Sequence, residues 1–179
     1  MTCVRLPLIE PDVANFAPFG RLLAVPPGQR GARSDFYGDA VELYDPGAFV
    51  SDADTRLSIA RVHPRARSVR YLERHFKHTQ AFVPLTARPF VAVLGPPCPH
   101  TLPDVESVRA FRFPPGTGFM MHIGTWHEFP FALESTMDLL VILRNETNRD
   151  LERRSHDEAE GADLQKRNVQ NRLGVQFEF

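Results

Sequence analysis

Prolines and glycines interrupt this chain so often that they leave little room for long helices. Its 179 residues include sixteen prolines and eleven glycines. Proline blocks the interior of a helix and both residue types favour turns, so we expect short extended segments joined by tight connections. The sequence therefore predicts a mainly β protein.

Four segments have the residue pattern of strands. Residues 57–62 and 107–113 alternate apolar and polar side chains, which is typical of a strand with one buried face. Residues 90–94 and 139–143 are continuous apolar runs of strand length, and we expect these strands to be buried. Short strands at this spacing indicate a sandwich or barrel with a few short helices, one of them near the N-terminus and capped by Asp12.

The C-terminal part of the chain differs in composition. Residues 148–172 are strongly charged and contain few apolar anchors, so we expect a charged helix or a mobile segment there. Residues 173–179 alternate again and predict a final strand, paired with a sheet edge or with a second subunit. Because a chain of 179 residues suffices for one well-buried core and is short for two, we expect a single domain over residues 1–179.

Charge and composition exclude several classes of protein. Acidic and basic residues are interspersed and sum to a net charge of -1, so we expect no broad basic surface for nucleic acid or an anionic membrane. The N-terminus lacks the apolar core of a signal peptide, and no apolar run is long enough to span a bilayer. We expect a cytoplasmic protein that has neither nucleic acid nor a membrane as its partner.

Two groups of polar residues, far apart in the sequence, carry the candidate chemistry. His127 follows Trp126 after a Gly-Thr turn, and Glu73 and His75 precede Gln80 in an upstream segment. Side chains alternate along a strand, so Glu73 and His75 are expected to project from the same face. A proline- and glycine-rich segment separates the two groups. Together they describe the two halves of a pocket in a small barrel.

The spacing of these residues is similar to the metal motif of cupin barrels, where H-x-H precedes a Glu and a later G-x-x-H turn. Here Glu73 takes the place of the first histidine and Gln80 that of the Glu. With His75 and His127 they offer a mixed nitrogen and oxygen set for a divalent first-row metal. Alternatively, without a metal, the same groups form a polar pocket in which His127 acts as a general acid or base.

Other charged or imidazole side chains have a functional and a structural interpretation. His122 lies five residues before His127 and either lines the pocket or is a packed or solvent-facing imidazole. Arg61, at the end of an alternating strand, either binds a carboxylate or faces solvent, paired with an acidic residue. Lys77 and His78 are expected at the surface. The remaining histidines, expected to be structural or exposed, are His63, His100 and His156.

The chain resembles the ureidoglycolate lyase family, whose members have a cupin-like β barrel. The resemblance implies a cupin-like double-stranded β-helix barrel with a few short helices. The features that carry it occur in the same order as in the family and span most of the chain. They are Phe16-Ala17-Pro18-Phe19-Gly20, Ile59-Ala60-Arg61, Glu73-Arg74-His75, residues 79–85, Pro103-Asp104, Arg109-Ala110-Phe111, Trp126-His127 and Asp138.

The resemblance also implies an activity and a set of roles. Family members cleave ureidoglycolate to glyoxylate and urea in allantoin and purine catabolism, usually as homodimers, and some use a divalent metal, here expected to be nickel or manganese. The substrate is a small carboxylic acid. Arg61 would hold its carboxylate, Gln80 would contact the carboxylate or the urea group, and Trp126 would line the substrate site. His127 and His122 would handle protons or metal.

Four residues depart from the family's usual pattern. The family carries an asparagine just before an early glycine and an arginine a few residues later, whereas this chain has Phe36 and Leu43 in those stretches. Phe76 replaces a proline and His78 replaces a glycine. The first two changes would make the pocket more apolar. The alternative function is therefore a cupin that acts on, or only binds, a different small carboxylic acid.

Overall fold

A computed structural model describes residues 2–33, 35–145, 147–152, 154–155 and 157–179. The strands are β1 (Thr2–Arg5), β2 (Leu8–Ile9), β3 (Gly20–Leu23), β4 (Ala32–Arg33), β5 (Glu42–Leu43), β6 (Thr55–Val62), β7 (Ser68–Val69), β8 (Tyr71–His75), β9 (Gln80–Pro84), β10 (Phe90–Gly95), β11 (Arg109–Phe113), β12 (Gly118–Met121), β13 (Trp126–His127), β14 (Phe131–Ala132), β15 (Met137–Arg144), β16 (Arg154–Ser155), β17 (Glu158–Glu160), β18 (Leu164–Asn168) and β19 (Val175–Glu178). The helices are α1 (Val13–Phe16), α2 (Thr147–Glu152) and α3 (Val169–Leu173), with 3-10 turns at Gly38–Ala40 and Val105–Ser107.

The mainly β class predicted from the sequence is confirmed. All four predicted strands are present as β6, β10, β11 and β15, although β11 begins only after the second 3-10 turn. The longest described helix, α2, has 6 residues. Among the described residues, no helix has the length and apolar character that crossing a membrane requires.

Two large sheets form the body of the fold. The nine-stranded sheet has the order β16-β17-β18-β8-β13-β10-β11-β2, and β14 also pairs with β10. The five-stranded sheet has the order β3-β12-β9-β15-β6. A three-stranded sheet, β1-β19-β7, and the hairpin of β4 and β5 complete the described strands. This arrangement agrees with the predicted cupin-like barrel or sandwich.

Each face of the nine-stranded sheet covers a separate apolar core. The first core lies between the two large sheets and joins Phe90 of β10 to Phe82 of β9. The second core lies on the opposite face and joins Val91 and Val93 to Phe177 of β19. Each of these side chains is at most 1% exposed. Because β10 is buried on both faces, its sequence is a continuous apolar run rather than an alternating one.

The short N-terminal helix α1 begins where the sequence predicts it. Asp12 accepts hydrogen bonds from the backbone N–H groups of Ala14 and Asn15, and the Asn15 side chain accepts one from the Asp12 backbone. This reciprocal pair is a capping box, which satisfies donors that a helix start leaves free. At its other end, Phe16 is 1% exposed and its ring contacts the ring of Phe111 in the first core.

The prediction of a charged helix or mobile segment over residues 148–172 is wrong. Its described residues form most of α2, the strands β17 and β18, and most of α3. β18 pairs with β8 along its whole length. Several of its charges form ion pairs between elements, since Arg167 contacts both Glu158 and Glu160. The many charged residues in this part of the sequence therefore gave no indication of the paired strand β18. The predicted final strand is present as β19, which pairs with β1 and β7 of the same chain.

Candidate active site

The register of three strands brings the predicted polar residues to one end of the first core. His127 of β13 lies directly opposite Glu73 of β8, so both side chains share a face. His75 is two residues further along β8 and projects from that face as well. Gln80 opens β9 and shares a face with Phe82, whose ring centroid is 6.4 Å from that of His127. All four polar side chains are buried, between 1% and 8% exposed.

Glu73 is a buried carboxylate held by a lysine. Its Oε2 accepts a hydrogen bond from Nζ of Lys166 at 2.9 Å, and Lys166 lies opposite it in the register of β18. Burial by itself raises the pKa of Glu73, but His127, the Lys166 charge and His75 outweigh it, so the net pKa is well below the ordinary value. The side chain is therefore anionic at neutral pH.

The hydrogen bonding of His127 fixes which of its ring nitrogens is free. Nδ1 lies 3.1 Å from the carbonyl oxygen of Thr125. A carbonyl only accepts, so the neutral ring carries its hydrogen on Nδ1 and a lone pair on Nε2. Nε2 lies 3.5 Å from Oε1 of Glu73 and has no hydrogen-bond partner among the described residues. A lone pair that faces a carboxylate is stabilised only by a proton or a cation between them. Nε2 is thus a base or a metal ligand.

His75 is a neutral, unpartnered imidazole. Its ring centroid is 5.2 Å from that of His127, and within the described part of the chain neither of its ring nitrogens has a hydrogen-bond partner. Burial, followed by the effect of His127, lowers the pKa of His75 to about 3, so the ring is uncharged at neutral pH. Each unsatisfied buried polar group costs about 1–3 kcal/mol. An unpaired neutral nitrogen is also what a divalent metal requires of a histidine ligand.

The predicted ligand set fits a divalent metal. Glu73, His75 and His127 each offer one ligand atom, and the three atoms lie within 4.8 Å of one another. Oε1 of Gln80, which is buried without a hydrogen-bond partner, adds an oxygen donor. Two neutral imidazoles, a carboxylate and an amide oxygen suit a first-row metal such as nickel or manganese. A bound metal stays a prediction, but the side chains needed to hold one are present.

A second cluster, which the sequence pattern does not predict, lies beside the first. His75, His78 and Asp163 also offer ligand atoms within 4.8 Å of one another. The surface position predicted for His78 is wrong, because His78 is 1% exposed. Lys77 is partly exposed, its side chain 36%, with Nζ 3.8 Å from Asp52. The three-residue spacing from His75 to His78 is the one sequence signal for this cluster. The third residue, Asp163, lies in the segment 148–172, for which the sequence predicts a charged helix or a mobile segment.

Two further charged residues border the site on its solvent side and were not predicted. The side chain of Lys166 is 28% exposed, and that of Glu128 is 19% exposed. Burial raises the pKa of Glu128, against the effect of Lys166. Glu128 could have been found as the acidic neighbour of His127. Lys166 could not, because its approach to Glu73 depends on the pairing of β18 with β8.

Arg61 and Trp126 do not reach the cluster. The Arg61 side chain is 68% exposed and makes two hydrogen bonds to Asp138, at 2.9 and 3.0 Å. This is the second of the two interpretations that the sequence allowed. Trp126 is adjacent to His127 in β13 and therefore projects from the opposite face, where it lies in the second core. The guanidinium of Arg74 lies over its ring, 4.4 Å from the centroid.

His122 lies at a different cavity. Its Nε2 is 3.0 Å from the carbonyl oxygen of Ala17, and it lines a cleft of about 470 Å³ beside α1, together with Tyr44 and Asp45. None of the four polar residues of the cluster lines that cleft. Phe36 and Leu43, which replace polar residues of the family pattern, are 96% and 61% exposed. The remaining histidines are His63 and His100, both exposed, and His156, which lies outside the described residues.

Comparison with known sequences identifies the family. The sequence pattern of ureidoglycolate lyase matches residues 5–163 of this chain. The chain belongs to the ureidoglycolate lyase family. The matched part of this ureidoglycolate lyase family member contains the whole of both clusters and ends at Asp163, before Lys166.

Three relatives named ureidoglycolate lyase cover most of the chain. The protein from Azotobacter vinelandii is 34% identical over 152 residues, which are 79% of this chain and 87% of the relative. The protein from Pseudomonas syringae pv. syringae is 31% identical over 150 residues, 79% and 85% of the two chains. The protein from Burkholderia mallei is 33% identical over 151 residues, 80% and 85% of the two chains. The family predicted from the residue motifs is confirmed.

Proposed function

We propose that this family member is an enzyme, a carbon-nitrogen lyase that cleaves ureidoglycolate to glyoxylate and urea in allantoin and purine catabolism. Family membership over residues 5–163 and relatives named ureidoglycolate lyase support the substrate. The observation that carries the chemistry is the free Nε2 of His127, which faces the Glu73 carboxylate inside a buried site. We do not favour a different small carboxylic acid, because Phe36 and Leu43 are exposed.

The reaction needs one proton to move. The substrate hydroxyl loses its proton, the hydroxyl carbon forms a carbonyl, the carbon-nitrogen bond breaks, and the departing urea nitrogen takes up a proton. Nε2 of His127 would accept the hydroxyl proton. Glu73, 3.5 Å away, would stabilise the resulting imidazolium. The same nitrogen can then return the proton to the departing urea nitrogen, so atoms and charge balance without a further reactant.

A metal would add to this chemistry. Glu73, His75, Gln80 and His127 are the side chains that would hold it, with nickel or manganese as the expected ion. When bound, a divalent metal polarises a substrate hydroxyl and lowers its pKa. In that form Nε2 of His127 is a ligand, and in the metal-free form it is the base. The two forms are alternatives, because the single lone pair of Nε2 can bind a metal or accept the hydroxyl proton but not both.

Lys166 replaces Arg61 as the proposed group that holds the substrate carboxylate. Arg61 is committed to Asp138 at the surface of the five-stranded sheet. Lys166 is a cation at the solvent edge of the cluster, and its hydrogen bond to Glu73 orients the ammonium group there. A partly buried ammonium attracts an anionic substrate more strongly than one in bulk water. Gln80 keeps its proposed contact with the substrate.

We also propose that the protein is a homodimer. β6 exposes two large apolar side chains on its outer face, Leu57 at 67% and Ile59 at 64%. Leu140 and Ile142 of the neighbouring β15 are paired with them in register and are partly buried. A sheet face of this composition suits the same face of a second copy. The single domain over residues 1–179 and the cytoplasmic location stay predictions.

The test of the proposed function is product release from racemic ureidoglycolate. Purified protein is treated with a chelator and assayed for glyoxylate and urea, with and without added nickel or manganese. We expect both products in equal amounts. Release that requires the metal supports the metal-bound form, and release without it supports His127 as the base. Folded protein that binds ureidoglycolate but forms neither product would contradict the proposal.

A further inference from the structure

His75, His78 and Asp163 form a buried cluster that the proposed reaction does not use as a unit. Their side chains are 3%, 1% and 0% exposed. No residue that the structure describes makes a hydrogen bond with Nε2 of His78 or with either ring nitrogen of His75. Nδ1 of His78 lies 3.0 Å from Oδ2 of Asp163, within the range of an ion pair. Two buried imidazoles beside one carboxylate, largely unsatisfied, indicate a common ligand.

The carboxylate of Asp163 is held in place from both sides. Oδ1 accepts a hydrogen bond from the backbone N–H of Lys77, and Oδ2 accepts one from the hydroxyl of Thr147, both at 2.9 Å. The backbone N–H of Asp163 donates to Oδ2 of Asp150 at 2.9 Å. Hydrogen bonds of this kind orient metal-binding carboxylates in proteins. Asp163 is thus a fixed oxygen donor whose second lone pairs remain available.

The distances between the three side chains suit a metal ion. Ligand atoms bound at about 2.0–2.2 Å, with tetrahedral or octahedral angles, are roughly 3.0–3.5 Å apart. Oδ2 of Asp163 lies 3.0 Å from Nδ1 of His78 and 3.9 Å from Nδ1 of His75. A small rotation of the His75 ring would bring the wider separation into that range. The third edge of the triangle joins His75 and His78, whose ligand atoms lie within 4.8 Å of each other.

We propose that His75, His78 and Asp163 form a second divalent transition-metal site, distinct from the set that contains Glu73 and His127. Two imidazole nitrogens and one carboxylate oxygen suit zinc, cobalt or nickel and leave coordination positions for water. The two sets share His75. A neutral imidazole has only one lone pair on nitrogen to give, so His75 binds in one set at a time. An ion at the second set therefore takes His75 from the first set, and this site is compatible with the metal-free form of the proposed reaction, in which His127 is the base.

The test is a titration of chelator-treated protein with Co²⁺, followed by the visible d–d absorption of the bound ion. We expect His78→Ala and Asp163→Asn each to weaken Co²⁺ binding at least about 10-fold, as the loss of a ligand does. His127→Ala should keep most of the affinity, because His127 belongs only to the other set and is not a ligand in this one. His100→Ala removes an exposed histidine and is the matched control. Circular dichroism checks that each variant folds.

Two results would overturn the proposal. In the first, His78→Ala folds and keeps the wild-type affinity within about 2-fold, while His127→Ala loses it. The second measurement needs no variant and decides the matter if the variants misfold: anomalous scattering at the cobalt edge from crystals of wild-type protein soaked in Co²⁺. A peak in bonding contact with His78 and Asp163 supports the site. A peak between Glu73 and His127, or only at the surface, contradicts it.

Discussion

Single residues decide the chemistry here, and the contrast between Arg61 and Lys166 shows how. Both are cations, but Arg61 is paired with Asp138 on an exposed sheet face, whereas Lys166 is paired with the buried Glu73. The face of β6 that carries Arg61 is not the face that packs on the first core. Both side chains carry the same charge, so the face of the strand from which each one projects determines whether it can contact a substrate.

Substitution of the two cations should separate their roles. We expect Lys166→Met to raise KM for ureidoglycolate roughly 10-fold or more, since a hydrogen bond to a charged group contributes about 1.5–3 kcal/mol. Arg61→Met, the matched control, should change KM less than about 2-fold. Steady-state kinetics of both variants provides the measurement. A large KM effect in Arg61→Met with none in Lys166→Met would restore the carboxylate role to Arg61.

The buried imidazole of His75 should make the metal-free protein sensitive to mild acid. The folded pKa of His75 is about 3, against an ordinary value of 6.5. Between these two pKa values the unfolded chain takes up a proton that the folded chain does not. The free energy of unfolding therefore falls as the pH decreases from 6.5, and it falls by at most about 1.4 kcal/mol per pH unit. Below the ordinary pKa values of carboxyl groups, Glu73 and Asp163 reduce the free energy of unfolding further, because the pKa of each is lowered in the folded protein.

Urea unfolding of chelator-treated protein between pH 7 and pH 5 checks this expectation. His75→Gln is the control, because it removes the titrating group and should flatten the profile in this range. A wild-type stability that stays constant from pH 7 to pH 5 would show that His75 is not buried as a neutral ring.

At the scale of elements, strand alternation made part of the site predictable from the sequence. Glu73 and His75 are two residues apart, so a strand places them on one face, as observed. The same rule excludes Trp126, which is adjacent to His127 and faces the second core. Lys166 and Asp163 could not be predicted, because their position depends on how β18 pairs with β8. Local pattern predicts faces, while register between distant strands is set by the tertiary structure.

Element boundaries were predicted where a local hydrogen bond sets them. Asp12 caps α1 as expected, because Ser, Thr, Asp or Asn before a short helix satisfies its first donors. The prediction for the charged segment after β15 is wrong because its ion pairs connect residues of different elements. One such pair joins Arg172 of α3 to Glu158 of β17. Sequence alone does not show whether a charge has a partner.

Substitution of Asp12 tests how much the N-cap of α1 contributes to the stability of the protein. Asp12→Ala should lower the free energy of unfolding by about 1 kcal/mol, because two backbone donors lose their acceptor. Asp12→Ser, which can still cap, should lower it by less. Neither should alter kcat, since α1 lies at the far cleft and not at the cluster. Thermal or urea unfolding of the two variants provides the measurement, and equal stability of Asp12→Ala and wild type would contradict it.

At the scale of the whole molecule, the two faces of the nine-stranded sheet have different roles, because each face packs on a different core. One face carries the site at the end of the first core, and the other face is covered by the three-stranded sheet that the C-terminal strand joins. The segment after Asp163 lies beyond the family match, yet it supplies β18, with Lys166 beside Glu73. The C-terminal part of the chain therefore both covers the second core and completes the charge of the site.

Replacement of the exposed apolar residues of β6 tests the homodimer. We expect the double variant Leu57→Lys, Ile59→Lys to elute as a monomer, because like charges on a self-complementary face repel each other. Val25→Lys, which changes another apolar side chain that is 63% exposed, is the control and should remain a dimer. Light scattering coupled to size-exclusion chromatography measures the mass. A dimeric double variant, or a monomeric wild type, would contradict the proposed interface.

The central claim is that the cluster around His127 cleaves ureidoglycolate, and the turnover of His127→Gln tests it most directly. Glutamine keeps a similar volume but cannot accept the hydroxyl proton, and its neutral amide oxygen is a weaker ligand for a first-row metal than an imidazole nitrogen. We expect kcat to fall at least roughly 100-fold, as loss of a general base does, while the thermal midpoint stays within a few degrees of wild type. A folded His127→Gln protein that releases urea and glyoxylate at the wild-type rate would contradict the account.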